Sequence, residues 1–153
     1  DLATLPDNVA RGELAPDFTV ITLTGESFTL SDYHGSWVLL TFMANGCPSC
    51  VYEITSLAEV YPAYAGQGLV TLVVDIQPFD TPVSLQRYID SFPYPMVNWT
   101  IDSEARVAPL YNVLELGTTL LINPNGNIVY RDRQATGPEE FQQLLELAVS
   151  AAP

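Results

Sequence analysis

Residues 37–54 read Trp37-Val38-Leu39-Leu40-Thr41-Phe42-Met43-Ala44-Asn45-Gly46-Cys47-Pro48-Ser49-Cys50-Val51-Tyr52-Glu53-Ile54. The first eight form a nearly continuous apolar run, the pattern of a strand buried on both faces. Asn45-Gly46 interrupts the run, and Pro48 then fits the first position of a helix, where its missing N–H is no loss. Val51, Ile54, Leu57, Ala58 and Tyr61 recur at helical spacing, so that face is expected to be buried. Pro62 should kink or end the helix, and Gly66 and Gly68 should close it. A buried strand thus runs into a helix through a junction that carries two cysteines.

Outward from this unit the chain alternates. Residues 1–14 are expected to be an extended lead-in; Phe18 to Leu23 and Ser27 to Leu30 read as a hairpin about Thr24-Gly25-Glu26. Downstream, Leu69 to Val74 reads as a second buried strand, and Thr81-Pro82 as the cap and first residue of a helix reaching about Ser91. Met96 to Ile101 should be a strand and Ser103 to about Tyr111 a short helix. Thr118 to Ile122 and Asn127 to Arg131 should pair about Asn123-Pro124-Asn125-Gly126, before a last helix from Pro138 to about Ser150. This order predicts one α/β domain over residues 1–153, with a central mixed sheet flanked by helices and an N-terminal β-hairpin extension.

Composition sets the outer bounds. The 153 residues are 48% apolar and 15% charged, as in a folded protein with a real core. No apolar stretch is long enough for a membrane span. The chain begins at Asp1 rather than Met, which leaves room for a removed leader or anchor. Five arginines and no lysine face 18 acids, a net charge of −13. Such a field repels nucleic acid and anionic lipid, and its simplest consequence is solubility.

Cys47 and Cys50 are the only cysteines. As a staple they would be poorly used, because a four-residue loop hardly constrains the unfolded chain. A helix N-terminus instead favours the thiolate through free N–H groups and the macrodipole. Cys47 is therefore the expected nucleophile. Cys50, one turn inside, would resolve a mixed disulfide by closing the Cys47–Cys50 bond. Zinc would need two more ligands, and His34 is the only histidine. Glu53 follows Cys50 by three positions on the same helix face. If buried there, its carboxyl could exchange protons with Cys50; an ordinary acid in the first helical turns fits the spacing equally well.

Ala15-Pro16-Asp17-Phe18, Leu30-Ser31-Asp32-Tyr33-His34-Gly35, Val38-Leu39-Leu40-Thr41-Phe42, Cys47-Pro48-Ser49-Cys50 and Glu53 follow one another as in the TlpA/ResA/DsbE-like family. Tyr111-Asn112-Val113, Thr118-Thr119-Leu120-Leu121-Ile122 and Gly126-Asn127-Ile128-Val129 continue the likeness, which runs from about residue 14 to 148. The chain thus resembles exported bacterial thioredoxin-like proteins. The resemblance implies a thioredoxin-like fold and a periplasmic or otherwise extracytoplasmic site, often with an N-terminal anchoring helix that this chain lacks. It implies dithiol–disulfide exchange without a cofactor, as a reductant in cytochrome c maturation or related metalloprotein assembly, and Glu53 as the buried acid beside the dithiol. The expected partners are a protein disulfide and an upstream membrane or periplasmic electron donor, with the protein itself a monomer.

Three positions depart from the family pattern. Gly46 stands where Trp is usual, Met43 where an aromatic is usual, and Gly117 in place of the cis-proline facing the dithiol. A trans bond is expected before Gly117, since a cis bond to a non-proline residue costs about 2.5–4 kcal/mol. Gly46, Pro48, Leu116 and Gly117 are the positions expected to flank a bound substrate, and the lost bulk predicts more open sulfurs. An alternative follows: a Cu(I) or other soft-metal carrier with Cys47 and Cys50 as ligands. Peroxidase chemistry fits less well, because the usual Pro-x-x-x-Thr-x-x-Cys setting is missing.

Overall fold

A computed structural model describes residues 13–92, 98–113, 117–132 and 134–150. Its strands are β1 (Glu13–Leu14), β2 (Thr19–Ile21), β3 (Ser27–Thr29), β4 (Val38–Met43), β5 (Val70–Asp75), β6 (Trp99–Ile101), β7 (Thr118–Ile122) and β8 (Asn127–Arg131). Its helices are α1 (Pro48–Val60), α2 (Pro82–Ile89), α3 (Val107–Leu110) and α4 (Pro138–Ser150). Six strands form a mixed sheet in the order β1-β8-β7-β4-β5-β6, with β4, β5 and β6 parallel and the rest antiparallel. The β2–β3 hairpin lies apart and is tied to β6: the Leu23 N–H donates to Trp99 O (2.9 Å) and the Thr100 hydroxyl to Ile21 O (2.8 Å).

The two-residue period of a strand sorts β4 between two cores. Val38, Leu40 and Phe42 join Phe18, Phe28, Leu72, Leu120 and Tyr111 on the hairpin side. On the other side Leu39 packs with Leu57 of α1 and with Phe141, Leu144 and Leu145 of α4, while Met43 packs with Cys50, Ile54, Val73, Leu85 and Trp99. Thr41 lies between them in the alternation, the one polar residue of an otherwise apolar strand. Its register partner on β7 is Thr119, and the two hydroxyls are 3.0 Å apart.

Helix α1 differs from the expectation by one position. Val51 is 41% exposed, and the buried stripe is Cys50, Glu53, Ile54, Leu57 and Ala58, an i, i+3, i+4, i+7, i+8 pattern with a carboxylic acid inside it. Ile54 and Leu57 are fully buried, and each contributes about 1.5–3 kcal/mol. That holds the helix on the sheet despite Glu53, provided the acid is not buried as a free ion, which would cost several kcal/mol. The helix stops at Val60, and Tyr61–Ala63 adds a 3-10 turn at Pro62.

Two further expectations are corrected. The helix expected from Ser103 shrinks to Val107–Leu110, because the Asp102 carboxylate takes the N–H groups of Arg106, Val107 and Ala108 at 2.9–3.1 Å and starts the helix late. The strand expected from Met96 begins at Trp99, with residues 93–97 outside the described residues. The lead-in also contributes a strand, since β1 pairs with β8. Arg131 of β8 donates to the carbonyls of Tyr111 and Asn112, tying β8 to the end of α3.

Candidate active site

The cysteine pair sits where β4 meets α1. The Cys47 N–H donates to Ala44 O (3.2 Å), closing a reverse turn whose third residue, Gly46, has φ +89°. That left-handed conformation explains the glycine: a residue with a Cβ would be strained there. Cys47 caps the helix, Pro48 is its first residue, and the Cys50 N–H donates to Cys47 Sγ (3.2 Å). The Ser49 hydroxyl lies 3.2 Å from the same sulfur. Burial opposes ionisation of Cys47, but the hydrogen bonds from Cys50 and Ser49 outweigh it and hold the thiol below its ordinary value. Cys50 is the reverse case. It is fully buried, and burial first, then its contact with Cys47, pushes its thiol up to about 12. One sulfur is reachable and easily ionised; the other is sealed and protonated.

Glu53 lies beneath the pair and is fully buried. The Thr119 hydroxyl donates to Glu53 Oε1, and Thr41 supports Thr119 from β4. Asp132, just past β8, accepts the Thr119 N–H (2.9 Å) on one oxygen and the Thr136 hydroxyl (2.7 Å) on the other. Burial, then the neighbouring Asp132 carboxyl, carries Glu53 far above the ordinary carboxylate range, to about 10; bonds from Thr119 and the Thr136 N–H offset this only in part. Glu53 is therefore a neutral acid at pH 7.

The other flank of the dithiol is apolar and aromatic. Met43 is fully buried, and Tyr88, Phe92 and Trp99 gather beside it; ring centroids are 5.1 Å apart for Tyr88–Phe92 and 6.2 Å for Tyr88–Trp99. Burial raises the Tyr88 hydroxyl to about 12, with the nearby cysteines adding to the effect. Asp75, at the end of β5, is also fully buried, and its carboxyl rises to about 8 through burial and the adjacent Asp80. The bulk missing at positions 43 and 46 thus returns from α2 and β6.

Gly117 has φ +78°, and a Cβ there would stand 2.9 Å from Glu53 Oε2, 3.5 Å from Ser49 Oγ and 3.7 Å from the Cys50 nitrogen. The Gly117 backbone thus lies close to the acid and to the helix start. Cys47, Cys50, Glu53, Gly46, Pro48 and Gly117 are all brought together. Leu116, and with it the bond before Gly117, lies outside the described residues. Thr41, Thr119, Asp132, Thr136, Tyr88 and Asp75 belong to the same site but were not anticipated. Only Thr41 carried a local signal, a hydroxyl within an apolar strand. His34 is an exposed turn residue, and no three His, Cys, Asp or Glu side chains converge on a metal position among the described residues.

Residues 11–131 match the AhpC/TSA family. The chain is 37% identical over 140 residues to the thiol-disulfide oxidoreductase ResA of Geobacillus kaustophilus, covering 90% of this chain and 78% of that one. It is 29% identical over 125 residues to ResA of Bacillus subtilis, covering 80% and 67%. Among solved structures, a thiol:disulfide interchange protein from a Bacteroides species superposes with a TM-score of 0.74 at 26% identity, covering 94% and 93%. A thioredoxin family protein of Chlorobium tepidum does so with a TM-score of 0.74 at 20% identity, covering 92% and 98%, a likeness of fold alone. With a dithiol at a helix start, on a sheet of this topology, the chain belongs to the AhpC/TSA family and, within it, to the TlpA/ResA/DsbE-like thiol–disulfide oxidoreductases of thioredoxin-like fold.

Proposed function

We propose that this oxidoreductase works outside the cytoplasm as a reductant of a specific protein disulfide, with Cys47 as nucleophile, Cys50 as resolving thiol and Glu53 as the proton partner of Cys50. Gly46, Pro48 and Gly117 would border the bound substrate. The observation that carries the direction is the electrostatic setting of Cys47. Its thiolate is stabilised by two neutral donors, the Cys50 N–H and the Ser49 hydroxyl, and the carboxyls around the site add no positive charge. A strongly oxidising dithiol needs a strongly stabilised thiolate in its reduced form. Here the buried, protonated Cys50 and the acidic surroundings work against that form, which favours giving electrons away.

Two measurements test this reading. The Cys47–Cys50 reduction potential against glutathione should fall on the reducing side; a value near the strong oxidants overturns the direction. A Cys50→Ala variant should accumulate a mixed disulfide through Cys47 with its protein partner, and cells that yield no such adduct would refute exchange with a protein. The resemblance to exported proteins supports the location, an upstream membrane or periplasmic electron donor, and a role in cytochrome c maturation. No described helix is long and apolar enough to cross a membrane. A Cu(I) carrier built on the same two sulfurs is the competing proposal. It predicts a tight 1:1 complex when the reduced protein is titrated with Cu(I) against a competing chelator.

A further inference from the structure

Where glycine follows asparagine, the glycine nitrogen can attack the asparagine side-chain amide, because no Cβ blocks its approach. The chain contains two such pairs, Asn45-Gly46 and Asn125-Gly126. The fold treats them in opposite ways. Gly126 is buried, its N–H donates to Asn123 O (2.9 Å), and its carbonyl accepts from the Ala15 N–H (2.9 Å). The Asn125 N–H is held as well, by Asn123 Oδ1 (3.1 Å). The Gly126 nitrogen cannot turn to the Asn125 amide without breaking its own bond. Asn45 and Gly46 are both exposed, and among the described residues neither the Asn45 side chain nor the Gly46 N–H has a hydrogen-bond partner. Their turn is closed from outside the pair, by the 3.2 Å bond from the Cys47 N–H to Ala44 O. The Gly46 nitrogen therefore reaches the Asn45 side chain at no cost in hydrogen bonds.

We propose that Asn45 is a site of spontaneous deamidation that ages the dithiol beside it. The Gly46 nitrogen attacks Cγ of Asn45; a ring C–N bond forms, the bond from Cγ to the side-chain nitrogen breaks, and ammonia leaves with the Gly46 proton. Water then opens the cyclic imide at either carbonyl, leaving aspartate or isoaspartate at position 45. Nothing is oxidised or reduced, and water is the only co-reactant. Either product carries a negative charge that asparagine lacks, two residues before Cys47. Isoaspartate also routes the main chain through the side chain, lengthening the turn from which α1 starts. The Cys47 sulfur is held by two neutral donors at 3.2 Å, the Cys50 N–H and the Ser49 hydroxyl, and a new negative charge beside it opposes the thiolate. Attack on a disulfide depends on the thiolate, so each conversion weakens the site irreversibly. This consequence rests on the reading of Cys47 as the nucleophile; the deamidation does not.

The test holds the reduced full chain at pH 8 and 37 °C and samples it over days. Cleavage at arginine releases residues 12–87, whose only asparagine is Asn45, and residues 107–131, which contain Asn125. Mass spectrometry with fragmentation should find the exchange of NH2 for OH at position 45. It should arise at least about five-fold faster there than at position 125, the worth of the one hydrogen bond that Gly126 must give up. Iodoacetamide alkylation of Cys47 should become biphasic, with a slow fraction equal to the converted fraction. Asn45→Gln should keep the fresh rate throughout, and Asn45→Asp should react slowly from the start. Asn45 that stays intact, or converts no faster than Asn125, overturns the site. Conversion that leaves alkylation in a single phase overturns its effect on the dithiol. Fresh protein whose Cys47 resists alkylation overturns the nucleophile reading instead, and the mass shift at position 45 still decides the deamidation.

Discussion

Replacing Glu53 by Gln should make the protein more resistant to unfolding at neutral pH, and increasingly so as pH rises. In the folded protein the Glu53 carboxyl is raised to about 10, first by burial and then by Asp132, from an unfolded value of 4.5. A raised acid contributes its full stability below the unfolded value and loses it as pH climbs toward the folded one. Between about pH 5 and 8 the folded state holds one proton that the unfolded chain has released. Unfolding free energy therefore falls by about 1.4 kcal/mol per pH unit through this group. At pH 7, 2.5 units above 4.5, the accumulated cost is about 3 kcal/mol, a large share of the stability of a domain. Glutamine keeps an oxygen for the Thr119 hydroxyl and carries no titration. Urea unfolding of the reduced wild type and Glu53→Gln at half-unit steps from pH 5 to 8 measures the difference directly, and groups common to both proteins, Asp75 among them, cancel. The two stabilities should diverge with a slope near 1.4 kcal/mol per unit. Parallel curves would refute the neutral buried acid, and with it the pairing with Asp132.

Ser49→Ala removes one of the two donors to Cys47 Sγ, so the thiolate should lose about 1 kcal/mol of stabilisation and the thiol should rise toward its ordinary value. The pH midpoint of iodoacetamide alkylation reads it, and an unmoved midpoint counts against the Ser49 contact. Gly117→Ala places a Cβ at φ +78° and 2.9 Å from Glu53 Oε2. The backbone cost alone is about 1–2 kcal/mol, so the urea midpoint should fall at constant slope; an unchanged midpoint would show that the glycine is not required.

The reading by pattern succeeded where the controlling forces were local. Pro48 at the helix start, the Asn123–Gly126 turn and the β7, β8 and α4 boundaries all depend on neighbours within a few residues. The Gly126 N–H to Asn123 O bond (2.9 Å) and the Asn127 N–H to Asn123 Oδ1 bond (2.9 Å) are contacts of that kind. Val51 was misplaced because apolar character was taken as the guide to the buried stripe. The true stripe contains Glu53, which is tolerated because it is neutral and because Thr119 of β7 donates to it. The helix expected from Ser103 was too long because the Asp102 side chain competes for the backbone groups that would have begun it.

The dithiol, its helix start and the α/β order were determined by the sequence alone, since spacing, proline position and strand periodicity act over short range. The character of the site was decided by the tertiary structure. Thr41 and Thr119 are 78 residues apart, Glu53 and Thr119 are 66 apart, and only the β4–β7 register brings them together. Gly117 likewise shows no reason for being glycine until Glu53 Oε2 stands against it. The physical cause is the same in each case: a buried carboxyl takes its protonation from groups that only folding brings near, and no periodicity along the chain encodes them.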